Sequence, residues 1–214
     1  MKAPTYYLKR KGYLFYQIGV FLIVSAPSIA SIFLLLSLIG SHKNGNKSLI
    51  DKRWISPFFI ASLFAIFSAF LSTFRYKELD YLNKYNSWIG LANWIPFFYF
   101  AWRSQLYLNT NKKRNKIANL FLAGSVPFVF SSFAQLVLNL HGPFYFMNGL
   151  IIWFQRSIDL DSGKGITAMF NNQNYAACWL IIIWPFCFNN FLILKDLKIK
   201  KLFFLFYSIL LITF

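Results

Sequence analysis

Ser131, Gln135 and Asn139 recur at helical spacing, Arg156 follows, and the run FNNQN closes on Asn171, Asn172 and Asn174. Each amide carries donors and an acceptor that match sugar hydroxyls, and a guanidinium makes paired bonds to a phosphate. Gln135, Asn139, Arg156, Asn171, Asn172 and Asn174 are therefore candidate contacts for a polyhydroxylated or phosphorylated substrate. The same residues have a structural alternative. Amides in a membrane bundle hydrogen-bond between helices for about 0.6–2 kcal/mol each, and one asparagine of the run suffices to cap a helix. Arg156 and Lys164 could stabilise a leaving diphosphate, but no base stands beside either in sequence, so no catalytic residue is assigned.

The elements that must carry these residues are membrane helices. The 214 residues are 57% hydrophobic, 13% charged and include 27 Phe, with a mean hydropathy of +0.49. Such a chain cannot keep its apolar side chains from water as a soluble domain does. Spanning a bilayer core takes about 20 apolar residues in a helix. Segments 54–74, 88–108, 117–139 and about 174–194 satisfy this, a further apolar run covers 13–40, and another begins at 202. The expected fold is all-α: a polytopic helical bundle of about five to six membrane segments forming one domain over 1–214. The last run, of thirteen residues, spans only about 20 Å and reads as an incomplete span.

Charge orients the bundle. KAPTYYLKRK, HKNGNKSLIDKR, KKRNK and KDLKIKK each carry four basic residues against at most one acid, which assigns them to the cytoplasmic side. Segments 75–87 and 140–165 hold three and two basic residues with two acids each and are expected outside. The net charge of +16 lies in these loop clusters rather than on one amphipathic face, which argues against a nucleic-acid partner. The run 13–40 then has to begin and end on the same side. A pair of half-helices broken at Pro27, one tilted span that violates the charge pattern, and a signal peptide cleaved near IAS are the three readings.

All six acids fall in loops, which weighs against a proton- or sodium-coupled carrier built on intramembrane carboxylates. Arg103, near a cytoplasmic helix end, is expected to snorkel to the headgroups. HGPFYFMNGLIIWFQR is expected to lie flat at the interface or to dip in as a short helix, with His141 as a turn residue. Cys178 and Cys187 lie about 13 Å apart on one predicted helix, too far for a disulfide, and at no metal-ligand spacing.

Arg156, the Gly165/Thr167 turn, then Phe170, Asn172, Asn174, Tyr175 and Ala176 ahead of an apolar helix containing Pro185 resemble the F-x-N-x-N-[YF]-x-A stretch of the O-antigen ligase and O-antigen polymerase family, most closely its cyanobacterial members. The resemblance covers roughly residues 120–214. It implies a bacterial inner-membrane location and metal- and cofactor-independent transfer of a glycan from an undecaprenyl-diphosphate carrier to lipid A core or another glycan acceptor. It also implies that the chain is the N-terminal portion of a longer enzyme, inactive alone, because family members continue into a serine-arginine turn and a histidine-bearing outer loop. Some members carry the label of inorganic-carbon transport proteins. A small-anion transporter and a non-catalytic membrane subunit are the alternative functions.

Overall fold

The computed structural model describes residues 4–41, 56–75, 81–159, 164–193 and 198–213. They form α1 (Pro4–Leu22), α2 (Pro27–Ser41), α3 (Ser56–Arg75), α4 (Tyr81–Ser104), a 3-10 turn (Gln105–Tyr107), α5 (Asn111–Val137), β1 (Phe144–Phe146), β2 (Ile151–Trp153), α6 (Gln173–Ile193) and α7 (Lys198–Thr213). The chain is mostly helical, as its composition requires. Among the described residues, three helices are long and apolar enough to cross a membrane: Ser56–Phe74, Asn111–Val137 and Gln173–Leu192. Pro27–Ile39 is apolar but shorter. α4, which covers the segment 88–108 expected to span, has the length but carries Asn83, Lys84, Asn86, Asn93 and Arg103 and is not among them, so three such helices stand against the expected five to six segments.

The run 13–40 is two helices. Pro27 opens α2 at a first-turn position, where its missing N–H would have had no helical partner. The two helices pack antiparallel, with Phe15 against Phe33 at 6.0 Å and Gly19 against Leu34 and Ala30. Residue 41 therefore returns to the end where α1 starts, and the single tilted span is overturned. Nor is the pair a shallow dip: the Trp153 indole N–H donates to the Ser25 carbonyl at 2.8 Å, so the α1–α2 tip meets the strand pair following α5.

Neighbouring contacts fix the direction of the other helices. α3 and α4 are antiparallel, since Phe58 meets Phe98 at 5.1 Å and Trp88 Nε1 donates to Thr73 Oγ1 at 2.9 Å. α4 opposes α1 through Tyr16–Phe100 and Tyr13–Tyr107 ring contacts. α5 opposes α6 through the stacked pair Phe121–Phe186 and the Asn190–Asn119 amide bond of 2.8 Å. α7 turns back along α6, where the Cys187 thiol meets the Phe204 carbonyl at 3.3 Å. The starts of α1, α5 and α7 thus share one end, which carries Lys11, Lys112, Lys113, Arg114, Lys116, Lys198, Lys200 and Lys201. Residues 138–159 and 164–172 and the α1–α2 tip share the other. Residues 42–55, 76–80, 160–163 and 194–197, with the acids Asp51, Glu78, Asp80, Asp161 and Asp196, lie outside the described residues.

The core is built where the α1–α2 tip, α5, α6 and α7 meet, from Val24, Leu122, Phe128, Met169, Ile183, Cys187 and Tyr207. Two polar pairs lie inside it: Ser125 Oγ meets the Tyr207 hydroxyl at 2.5 Å, and Ser208 donates to Cys187 Sγ at 3.2 Å. Two expectations need correction. Arg103 does not reach outward; it is 7% exposed, and its guanidinium lies 5.3 Å from the Trp102 ring centre. The segment after α5 is a β-hairpin rather than a short helix. Phe144 pairs with Trp153 and Phe146 with Ile151, around a turn in which Met147, Asn148 and Gly149 all take positive φ. Asn148-Gly149 between apolar runs is the sequence signal for that turn.

Gly124 sets the α1–α5 spacing, because a Cβ there would lie 2.2 Å from the Phe21 carbonyl oxygen. Gly124→Ala is expected to force the helices apart, cost about 1–3 kcal/mol and lower the melting temperature in detergent. Gly90→Ala, with nothing within 4 Å, is expected to leave that temperature unchanged or raise it. Equal melting of the two variants would sink this account of the packing.

Candidate functional site

α5 ends at Val137, and its last turns present Ser131 and Gln135 to the segment that follows the β-hairpin. Gln135 is 1% exposed. Its Nε2 donates to the Arg156 carbonyl at 2.5 Å and to Thr167 Oγ1 at 3.2 Å. Its Oε1 accepts from the backbone N–H of Thr167 at 3.1 Å and of Ala168 at 2.8 Å. Both donors and both acceptor sites of this amide are occupied within the protein. The Arg156 N–H donates to Thr167 Oγ1 at 2.9 Å, so the Arg156 backbone is held on both sides.

A second amide extends the clasp. Gln155 accepts from Ser131 Oγ at 2.8 Å, donates to the Leu140 carbonyl at 2.8 Å, and offers its own carbonyl to the Gly142 N–H at 2.9 Å. Phe154 N–H bonds the Met169 carbonyl at 3.2 Å. Residues 138–142, 154–156 and 165–169 are thereby stitched to the end of α5. Two of these residues carry backbone strain: Gln155 has φ 34 and Ala168 φ 47, and both are buried. A left-handed non-glycine residue costs of order 1–3 kcal/mol and persists only where its surroundings hold it.

Asn139 leaves the face it was expected to share with Gln135. It lies beyond the helix, exposed, at φ 49, while the Ala134 carbonyl accepts from both Leu138 and Leu140. Asparagine is the commonest residue after glycine in this helix-ending conformation, which accounts for its presence. The three asparagines of FNNQN divide their roles. Asn172 Oδ1 accepts from the Asn174 N–H at 2.7 Å and caps α6. Asn171 and Asn174 present exposed side chains. Gln173, a residue that sequence reasoning passed over, accepts from the Gly165 N–H and ties the 164–168 turn to the start of α6. Gln155 was visible only as a polar residue of the outer segment and Thr167 only as part of the Gly165/Thr167 turn, since nothing local marks either as buried.

The guanidinium of Arg156 and the amine of Lys164 are exposed, and the Arg156 side chain has no hydrogen-bond or ion-pair partner among the described residues. Beside the clasp, an open groove of about 480 Å³ runs between α5 and the hairpin, lined by Phe130, Leu140, Phe144, Phe146 and Trp153. Ser131 and Gln155 are its polar margin. No cluster of three or more metal-ligating side chains exists among the described residues. No family model matches the chain, and neither a curated protein nor a solved structure matches it.

Removing the Gln135 amide would orphan the Thr167 and Ala168 N–H groups at about 1–3 kcal/mol each. Gln135→Leu is expected to speed limited tryptic cleavage after Arg156 and Lys164 severalfold, with cleavage at wild-type rate as the contrary result. Asn172→Ala is expected to cost about 1 kcal/mol through the lost cap, and Asn171→Ala close to none, as measured by thermal unfolding.

Proposed function

We propose that the chain is a multi-pass protein of the bacterial inner membrane, with about five to six membrane segments, that resembles O-antigen ligases and polymerases in binding an undecaprenyl-diphosphate-linked glycan. The recipient of the glycan in this reading is lipid A core or another glycan. One observation carries the reading: the end opposite the basic clusters holds an exposed arginine on a fixed backbone, exposed Asn171 and Asn174 at the entry to α6, and an apolar groove beside the clasp.

Each part answers a part of such a substrate. A guanidinium gives paired, charge-assisted bonds to a diphosphate. Exposed amides complement sugar hydroxyls, and the groove offers an isoprenoid chain a wall of aromatic side chains. Gln135, Asn139 and Asn172 are left out of the contact set, because a clasp, a helix end and a cap account for them. No residue is assigned as the base that would activate an acceptor hydroxyl.

Purified chain in nanodiscs, offered a fluorescent undecaprenyl-diphosphate-linked glycan, is expected to retain it. Arg156→Ala is expected to weaken retention about tenfold or more, the equivalent of losing one hydrogen bond to a charged group. Asn171→Ala and Asn174→Ala are expected to weaken it severalfold. Retention by Arg156→Ala equal to wild type would defeat the reading, and bicarbonate uptake by proteoliposomes would favour a small-anion transporter instead.

A further inference from the structure

We infer that Gln135 and Thr167 are positioning residues for Arg156, setting its guanidinium to receive the diphosphate of a lipid-linked substrate; the inference rests on the substrate-binding reading above. An amide serving only to join helices would bond across to another helix, as Asn119 and Asn190 do at 2.8 Å. Gln135 bonds to no other helix. All four of its hydrogen bonds go to residues 156, 167 and 168.

Arg156 is the point on which these bonds converge. Its carbonyl is taken by Gln135 and its N–H by Thr167, whose hydroxyl is itself held by Gln135. Gln155, the residue before it, and Ala168, the residue after Thr167, are the two buried non-glycine positions in the left-handed region among the described residues. The clasp holds both sides of this strained pair, and the one long side chain in the middle of it points no bond back into the protein among the described residues. A fixed backbone removes much of the ordering that an arginine in a loose loop undergoes when it binds an anion. The arrangement is therefore preorganised for an anion at Arg156, with Gln135 acting through Arg156 and touching no ligand itself.

Farnesyl diphosphate is a suitable probe, with farnesol as its uncharged counterpart, both titrated into the full chain in nanodiscs. Arg156→Ala, Gln135→Met and Thr167→Val are each expected to weaken farnesyl diphosphate about tenfold and to leave farnesol unchanged. Thr167→Ser, which keeps the hydroxyl, is expected to restore wild-type binding. The double variant Gln135→Met with Arg156→Ala is expected to bind no more weakly than Arg156→Ala alone, since both changes remove one interaction. A merely structural role would weaken both probes together, or would add to the Arg156 loss, and either result overturns the proposal. If Gln135→Met does not fold, the Thr167 pair decides: equal binding by the Val and Ser variants overturns it. Binding that follows this pattern without retention of the lipid-linked glycan would leave the positioning role standing and remove the glycan reading. Glycan retention that depends on Arg156 but not on Thr167 or Gln135 would do the reverse.

Discussion

Backbone N–H and C=O groups next to a bilayer must be paired inside the protein, because hydrocarbon offers them nothing. Helices meet that demand by themselves, and the segment between α5 and α6 does not. Much of its irregular backbone is satisfied by side chains instead: Gln135 takes the Arg156 carbonyl and two successive N–H groups, and Gln155 takes the Leu140 carbonyl, while Trp153 of the same segment takes the Ser25 carbonyl at the α1–α2 tip. Everything distinctive about that end of the molecule, including the exposure of Arg156 and the capped entry to α6, depends on this pairing. A buried amide is costly when half satisfied and rigid when fully satisfied, so a complete set of four bonds makes Gln135 a fixed point.

The same economy explains the contact between the first and fifth helices. Gly124 lets α5 approach the Phe21 carbonyl, and Gly19 lets α1 meet Leu34 and Ala30 of α2. Helices in membranes lack a hydrophobic drive to associate, so close approach at small residues supplies packing in its place. With α1, α2 and α5 held this way, the α1–α2 tip reaches the β-hairpin, and Val24 joins Phe128 and Met169 in one core. The clasp and the helix packing are thus parts of one structure, linked through Trp153 and Ser25.

The basic segments obey the alternation of helices. Cations at the starts of α1, α5 and α7 come together because those helices are parallel, and residues 138–159 and 164–172 lie at the opposite end. A positively charged end opposite an amide-rich end is the separation that the loop charges pointed to. The three-dimensional contacts add that the run 13–40 obeys it too, by turning at Pro27.

Much of this was legible in the chain. Hydropathy and helical periodicity are local properties, so the all-helical class, three of the expected membrane segments, the basic ends and the placement of a cap within FNNQN followed from the residues themselves. Asn148-Gly149 marked a hairpin that aromatic content disguised as an interfacial helix. What a polar side chain does is settled elsewhere, by partners far along the chain. Gln135 meets Thr167 at a separation of 32 residues, and Trp153 meets Ser25 at 128. Three amides of equal promise in sequence became a clasp at Gln135, a helix end at Asn139 and a cap at Asn172, and Arg103 became a buried residue rather than a snorkelling one. Composition determined that these groups would need partners; only the tertiary structure, by bringing distant backbone within hydrogen-bond reach, decided which partners they found and left Arg156 facing outward.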